Sequence, residues 1–128
     1  MTPTINEIFI LLAVFQIKHF LADYLFQTPY MLGKLNKEGW VLPLTAHTAV
    51  HAFSTLVILL VFAPSLWYLS IFDGVMHFIM DRIKASPNLL NRWGPDKPYF
   101  WWALGLDQMI HHLTHYIVIY LIIRFSSL

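Results

Sequence analysis

Apolar residues gather in four long segments of the chain. Polar residues lie either between those segments or at four-residue intervals inside them. The segments run roughly Thr4–Gln27, Pro43–Ala63 and Ser65–Lys84, with a last one ending near Phe125. Each holds about 20 mostly apolar residues, the length that carries an α-helix through the hydrocarbon of a bilayer. Thr4 or Asn6 suits the start of the first helix, and Pro43 suits the first turn of the second. Only the tight turn Ala63-Pro64-Ser65 separates the second from the third, whereas Thr28–Leu42 and Ala85–Pro98 are long connections rich in Gly, Pro, Asn and charge. The pattern predicts an all-α fold: one domain over residues 1–128, a membrane-spanning up-down-up-down bundle of four helices.

The polar residues inside the apolar segments are not scattered. Asp73, His77 and Asp81 recur every four residues, so a helix stacks them into one stripe. The first segment repeats the motif as His19-Phe-Leu-Ala-Asp23, against His77-Phe-Ile-Met-Asp81 in the third. His47-Thr-Ala-Val-His51 in the second segment is answered by His111-His-Leu-Thr-His115 in the fourth. Two helical hairpins of one pattern are expected to be related by a pseudo-twofold axis along the membrane normal. Matching the depth of the two His pairs places the start of the fourth helix near Gly105, with Tyr99–Ala103 lying along the membrane surface.

Composition agrees with a membrane setting. Hydrophobic residues make up 58% and charged residues 12%, against about half and about a quarter in a soluble domain. Mean hydropathy is +0.60. A net charge of +1 gives no basic footprint for nucleic acid. Cysteine is absent, which excludes disulfides and thiolate metal sites. Met1–Glu7 lacks the basic start of a cleavable signal peptide. Lys34, Lys37, Arg82, Lys84, Arg92 and Lys97 flank or occupy the long connections, and only Arg124 lies on the other side. The positive-inside rule therefore puts both connections in the cytoplasm and both termini outside, in a multi-pass protein.

Although the helices alternate in direction, every His/Asp pair falls in the cytoplasmic half. Ionisable groups at such depth cost roughly 2.5–3.5 kcal/mol each on insertion scales and are usually paired and functional. A metal offsets the cost, because it takes neutral imidazole and ionised carboxylate directly as ligands. His19, Asp23, His47, His51, His77, Asp81, Asp107, His111 and His115 are the candidate ligands. They are too many for one tetrahedral ion and suit two divalent transition-metal ions, with zinc first and iron or manganese as alternatives. Asp73 lies two turns deeper than Asp81 and is expected as a second-layer group, proton relay or general base; Asp107 is the other candidate base. His112 points about 100° away from His111 and is left off the ligand set. Lys18, Arg82 and Lys84 are candidates to meet a substrate phosphate at the interface.

The stretch Lys18-His-Phe-Leu-Ala-Asp-Tyr-Leu-Phe-Gln27, with Lys34, His47, His51, His77, Asp81, Asp107-Gln108 and His111, resembles the bacterial membrane family called domain of unknown function 3307. The resemblance extends over nearly the whole chain and implies a place in the bacterial inner membrane, but it brings no activity with it. The pattern of membrane His and Asp is also similar to that of inner-membrane metal-dependent hydrolases. The expectation is a membrane-bound metal-dependent hydrolase acting on a lipid or lipid-linked ester or phosphoester, with membrane lipid as its surroundings and a homo-oligomer as an option. The alternatives are a metal or proton carrier, a di-iron oxidase and a haem-binding electron carrier.

Overall fold

The computed structural model describes residues 3–126. Residues 1, 2, 127 and 128, and with them the expected outward placement of the chain ends, lie outside the described residues. Four α-helices account for most of the chain: α1 (Ile5–Phe20), α2 (Val41–Phe62), α3 (Leu69–Ala85) and α4 (Pro98–Phe125). No strand occurs among the described residues.

Local chemistry sets the helix ends. Thr4 and Glu7 form a reciprocal capping box that closes the first turn of α1. The other end of α1 does not stop but widens into a π-turn over Leu21–Leu25, in which the Phe26 amide donates to the Leu21 carbonyl at 2.8 Å. Short 3₁₀ turns over Met31–Leu35, Pro64–Leu66 and Leu90–Arg92 fill the connections. Because Pro64–Leu66 turns before the helix begins, α3 starts at Leu69 rather than Ser65. The fourth helix also departs from expectation. It starts at Pro98 and runs 28 residues without a break, so Tyr99–Ala103 forms its opening turns rather than a separate surface segment. Pro98 supplies the first-turn proline, and a lone glycine costs a helix only about 1 kcal/mol relative to alanine. A side-chain carbon built on Gly105 would meet nothing within 4 Å, so packing imposes no break there either.

Two stretches, Ile5–Leu25 and Val41–Phe62, are long and apolar enough to cross a membrane. The sequence pattern leads to an expectation of four such segments, and α1 with its π-turn and α2 account for two of them. α3 has 17 residues, and the Asp, Gln and His residues of α4 between Asp107 and His115 dilute its apolar run.

The helices close into a ring: α2 packs on α3, α3 on α4, and α1 on both α4 and α2. α2 and α3 approach closely at Gly74, where an added side-chain carbon would sit 3.0 Å from the Ala52 methyl. One layer of the interior is apolar and collects Leu11 and Phe15 of α1, Ile58 and Leu59 of α2, Leu69 of α3, and Val118, Ile119 and Ile122 of α4. The layer beside it is made of histidine and aspartate. The outer faces are apolar, with Phe9, Phe53, Val61, Ile71 and Tyr120 all more than half exposed. The molecule thus carries its oil outside and its ionisable groups inside.

Candidate metal centre

Each helix contributes to the polar layer. α1 brings Lys18 and His19, its π-turn Asp23, α2 His47 and His51, α3 Asp73, His77 and Asp81, and α4 Asp107, His111 and His115. His47, His51, His77, His111 and His115 are all 0% exposed, while Asp23 is half-buried. A π-turn adds a residue to the helical repeat and often marks a functional site. Here it carries Asp23, which lies 3.2 Å from His19 Nε2, 2.8 Å from His51 Nε2 and 3.4 Å from His47 Nε2.

Three groups can be separated by geometry. In the first, His19, Asp23, His51 and His77 each point a ligand atom into one region, all within 4.8 Å of one another. In the second, Asp81, Asp107 and His111 do the same. His47 joins the two, with Nε2 3.0 Å from Asp81 and 3.4 Å from Asp23. The rings of His51, His77 and His111 stack across the bundle at 3.7 and 4.0 Å between centroids. The third group, Asp73, His77 and His115, is built differently. Lys18 Nζ donates to Asp73 Oδ2 at 2.7 Å and lies 3.2 Å from His115 Nε2, and Thr55 donates to the same carboxylate oxygen at 2.6 Å.

The chemistry of the donors fits a cation in the first two groups. Both nitrogens of His47 and of His111, His19 Nδ1, His51 Nδ1, His77 Nε2 and Asp107 Oδ1 are buried without a hydrogen-bond partner. Orphaned polar atoms of that number are rare in a folded protein and call for an ion or water. Separations between imidazole and carboxylate atoms around Asp23 and Asp81 run from 2.8 to 3.4 Å. Ligands at about 2.0–2.1 Å from a tetrahedral ion stand roughly 3.3–3.4 Å apart. In the third group the Lys18 ammonium already supplies the positive charge.

The expected residues are therefore brought together, but not all in the expected roles. Lys18 does not reach the interface; it is 5% exposed and paired with Asp73, which removes it from the phosphate contacts. Asp73 in turn is sealed at 0% exposure with Lys18 and Thr55 on Oδ2, and unlike Asp107 it lines no cavity, which makes it the poorer candidate for a base. Arg82 stacks 3.8 Å over the Trp40 ring and reaches the Lys34 carbonyl, so it too is taken. Lys84 meets Asp107 at 3.3 Å. His112 belongs to none of the three groups; it pairs with Gln16 at 3.0 Å, its ring 5.0 Å from that of His19. The two hairpins are not equivalent in their contacts. His115 meets Asp73 rather than Asp81, and the positions of Lys18 and Asp73 in one hairpin are Met76 and Phe15 in the other.

Spacing along the chain does not show the pairings of three residues. Lys34, from the first long connection, donates to Asp81 Oδ2 at 2.9 Å. Gln108 links the groups, with Oε1 2.9 Å from His19 Nε2 and Nε2 donating to Asp107. Lys18 pairs with Asp73 inside the bundle rather than meeting a phosphate at the interface. Its position next to His19 within an apolar run, with an equally deep Asp73 in the third segment, is the available signal.

The chain matches the family described as "Protein of unknown function (DUF3307)" over residues 10–128, nearly its whole length. No curated protein matches the chain, and no solved structure does.

Proposed function

Since the chain belongs to the DUF3307 family, whose description assigns no activity, we propose a function from the geometry itself. The protein is an integral-membrane, metal-dependent hydrolase of the bacterial inner membrane, folded as an up-down-up-down bundle. It acts on a lipid or lipid-linked ester or phosphoester from the cytoplasmic leaflet. One observation carries the reading: imidazoles and carboxylates from all four helices converge in a buried layer with many orphaned ligand atoms, inside a molecule whose outer faces are apolar. Two divalent ions, zinc first among the options, fit His19, Asp23, His51 and His77 on one side and Asp81, Asp107 and His111 on the other, with His47 between them. Such ions supply an activated water and a clamp on the oxygens of the scissile group.

The chain's own residues would do the rest. Asp107, with Oδ1 unpartnered and Oδ2 held by Lys84 and Gln108, is placed to take a proton. Gln108 holds His19 in orientation from outside the ligand set. The apolar layer of Leu11, Phe15, Leu59 and Ile122 closes the far side against water, which favours a hydrolase over a carrier that needs a polar path through the bundle.

Elemental analysis of protein purified from membranes tests the centre, and about two transition-metal ions per chain are expected. A protein without metal, with folding indifferent to chelators, would sink the reading. Cysteines introduced at Asn36 and Asn91 should be labelled only from the cytoplasmic side; labelling from outside reverses the orientation and the leaflet.

A further inference from the structure

A cavity of about 140 Å³ leads from the surface to the polar layer. Its inner wall is formed by Asp23, Asp81 and Asp107, and its outer wall by Lys34 and Lys84. Asp107, although only 1% exposed, keeps one carboxylate oxygen without a hydrogen-bond partner here. Each lysine reaches a carboxylate of the inner wall, Lys34 at 2.9 Å from Asp81 and Lys84 at 3.3 Å from Asp107.

The charges of this wall do not balance once the centre is filled. Three carboxylates against two ammonium groups leave one negative charge in the metal-free wall. Two divalent cations turn that into three positive charges, with the imidazoles neutral as ligands. The Lys18–Asp73 pair is closed on itself and changes nothing. An unbalanced charge of that size in a buried layer is strongly penalised by lost solvation. An anion must therefore accompany the ions, and a doubly charged one neutralises more than a singly charged one. Ammonium groups released by carboxylates that have turned to metal are donors suited to phosphate oxygens, and the Gln27 and Gln108 amides in the same wall can donate as well.

We infer that this cavity is a phosphate site that binds a phosphomonoester dianion across Lys34, Lys84 and the metal centre. The inference rests on the metal reading above and narrows its substrate to compounds bearing a terminal phosphate, whether a lipid or a soluble molecule.

The test uses full-length protein in detergent, with metal content measured on every sample. Inorganic phosphate is titrated into the metal-loaded wild type, the metal-stripped wild type, the K34M/K84M double variant and a K97M control. Phosphate should bind the loaded wild type and the control alike. Loss of two charge-assisted contacts should weaken binding roughly 10–100-fold in the double variant, with its metal retained. The stripped protein should bind far more weakly than the loaded one. Full metal occupancy without phosphate binding, or equal binding by wild type and double variant, overturns the phosphate site and leaves the metal reading standing. Equal binding by stripped and loaded protein overturns it as well. A wild type that holds no metal brings down both, and the metal assay reports that separately. Competition by phosphatidic acid in phosphatidylcholine vesicles, compared with glycerol phosphate in solution, then identifies the source: tighter competition by the lipid assigns a headgroup and equal competition a soluble ester, and either result upholds the site.

Discussion

Asp73 and Asp81 stand two turns apart on the same face of α3, yet the molecule treats them in opposite ways. Asp73 is sealed at 0% exposure, and its charge is answered by Lys18 of helix α1 across the bundle, with Thr55 adding a second donor. Asp81 is answered by Lys34, which comes from a connection rather than a helix, and it borders a cavity. In the group around Asp73, Oδ1 and the His115 Nδ1 are orphaned alongside the shared His77, whereas around Asp23, Asp81 and Asp107 orphaned atoms include both nitrogens of His47 and of His111, His19 Nδ1, His51 Nδ1 and Asp107 Oδ1. A carboxylate with a cation built into the bundle contributes to the fold. One whose cation comes from a connection at a cavity wall remains available to a ligand.

Removing Lys18 should break this contrast most severely. Lys18→Met leaves Asp73 as an unpaired buried charge, and destabilisation of about 3–5 kcal/mol is expected in thermal unfolding. His77→Ala should be of similar size by another route. It takes a ring out of the first group, strands carboxylates without their cation, and should lower metal content and melting temperature together. His115→Ala is the counterpart: because His115 sits with Asp73 and Lys18, both ions should remain bound. Loss of metal in His115→Ala with retention in His77→Ala would reverse the assignment of the groups. Lys34→Met should cost less than Lys18→Met, about 1–3 kcal/mol, because Asp81 still faces the cavity. Equal losses for the two lysines would erase the difference between the two carboxylates. The smallest effect belongs to His112→Ala, which forfeits one exposed bond to Gln16 and should change stability by about 0.5–1.5 kcal/mol at most while leaving metal content intact.

Much of this was legible in the chain itself. The helices and their order followed from apolar runs punctuated by Pro64 and the polar connections, although the start of α4 at Pro98 did not. The polar layer followed from spacing, since residues four apart on a helix share a face whatever the helix packs against. That is why Asp73, His77 and Asp81, or His111 and His115, could be assigned to one interior without coordinates. The absence of cysteine limited the ligand chemistry to imidazole and carboxylate.

Tertiary structure alone decided how the layer divides. Spacing says which residues share a face but not which neighbour each one meets across the bundle, so Lys18 could not be seen to face Asp73 rather than the interface. The π-turn that swings Asp23 towards His47 and His51 is a local change of register with no marker in the residue pattern. Lys34 reaches Asp81 through the path of a connection, which has no periodicity from which its position can be read. The sequence repeat pointed to equal hairpins, but the contacts are unequal because Phe15 and Met76 occupy the positions matching Asp73 and Lys18. Local interactions along the chain determine each helix and its polar stripe. Which stripe meets which cation depends on contacts between residues 23 to 55 positions apart, and only the folded molecule brings those together.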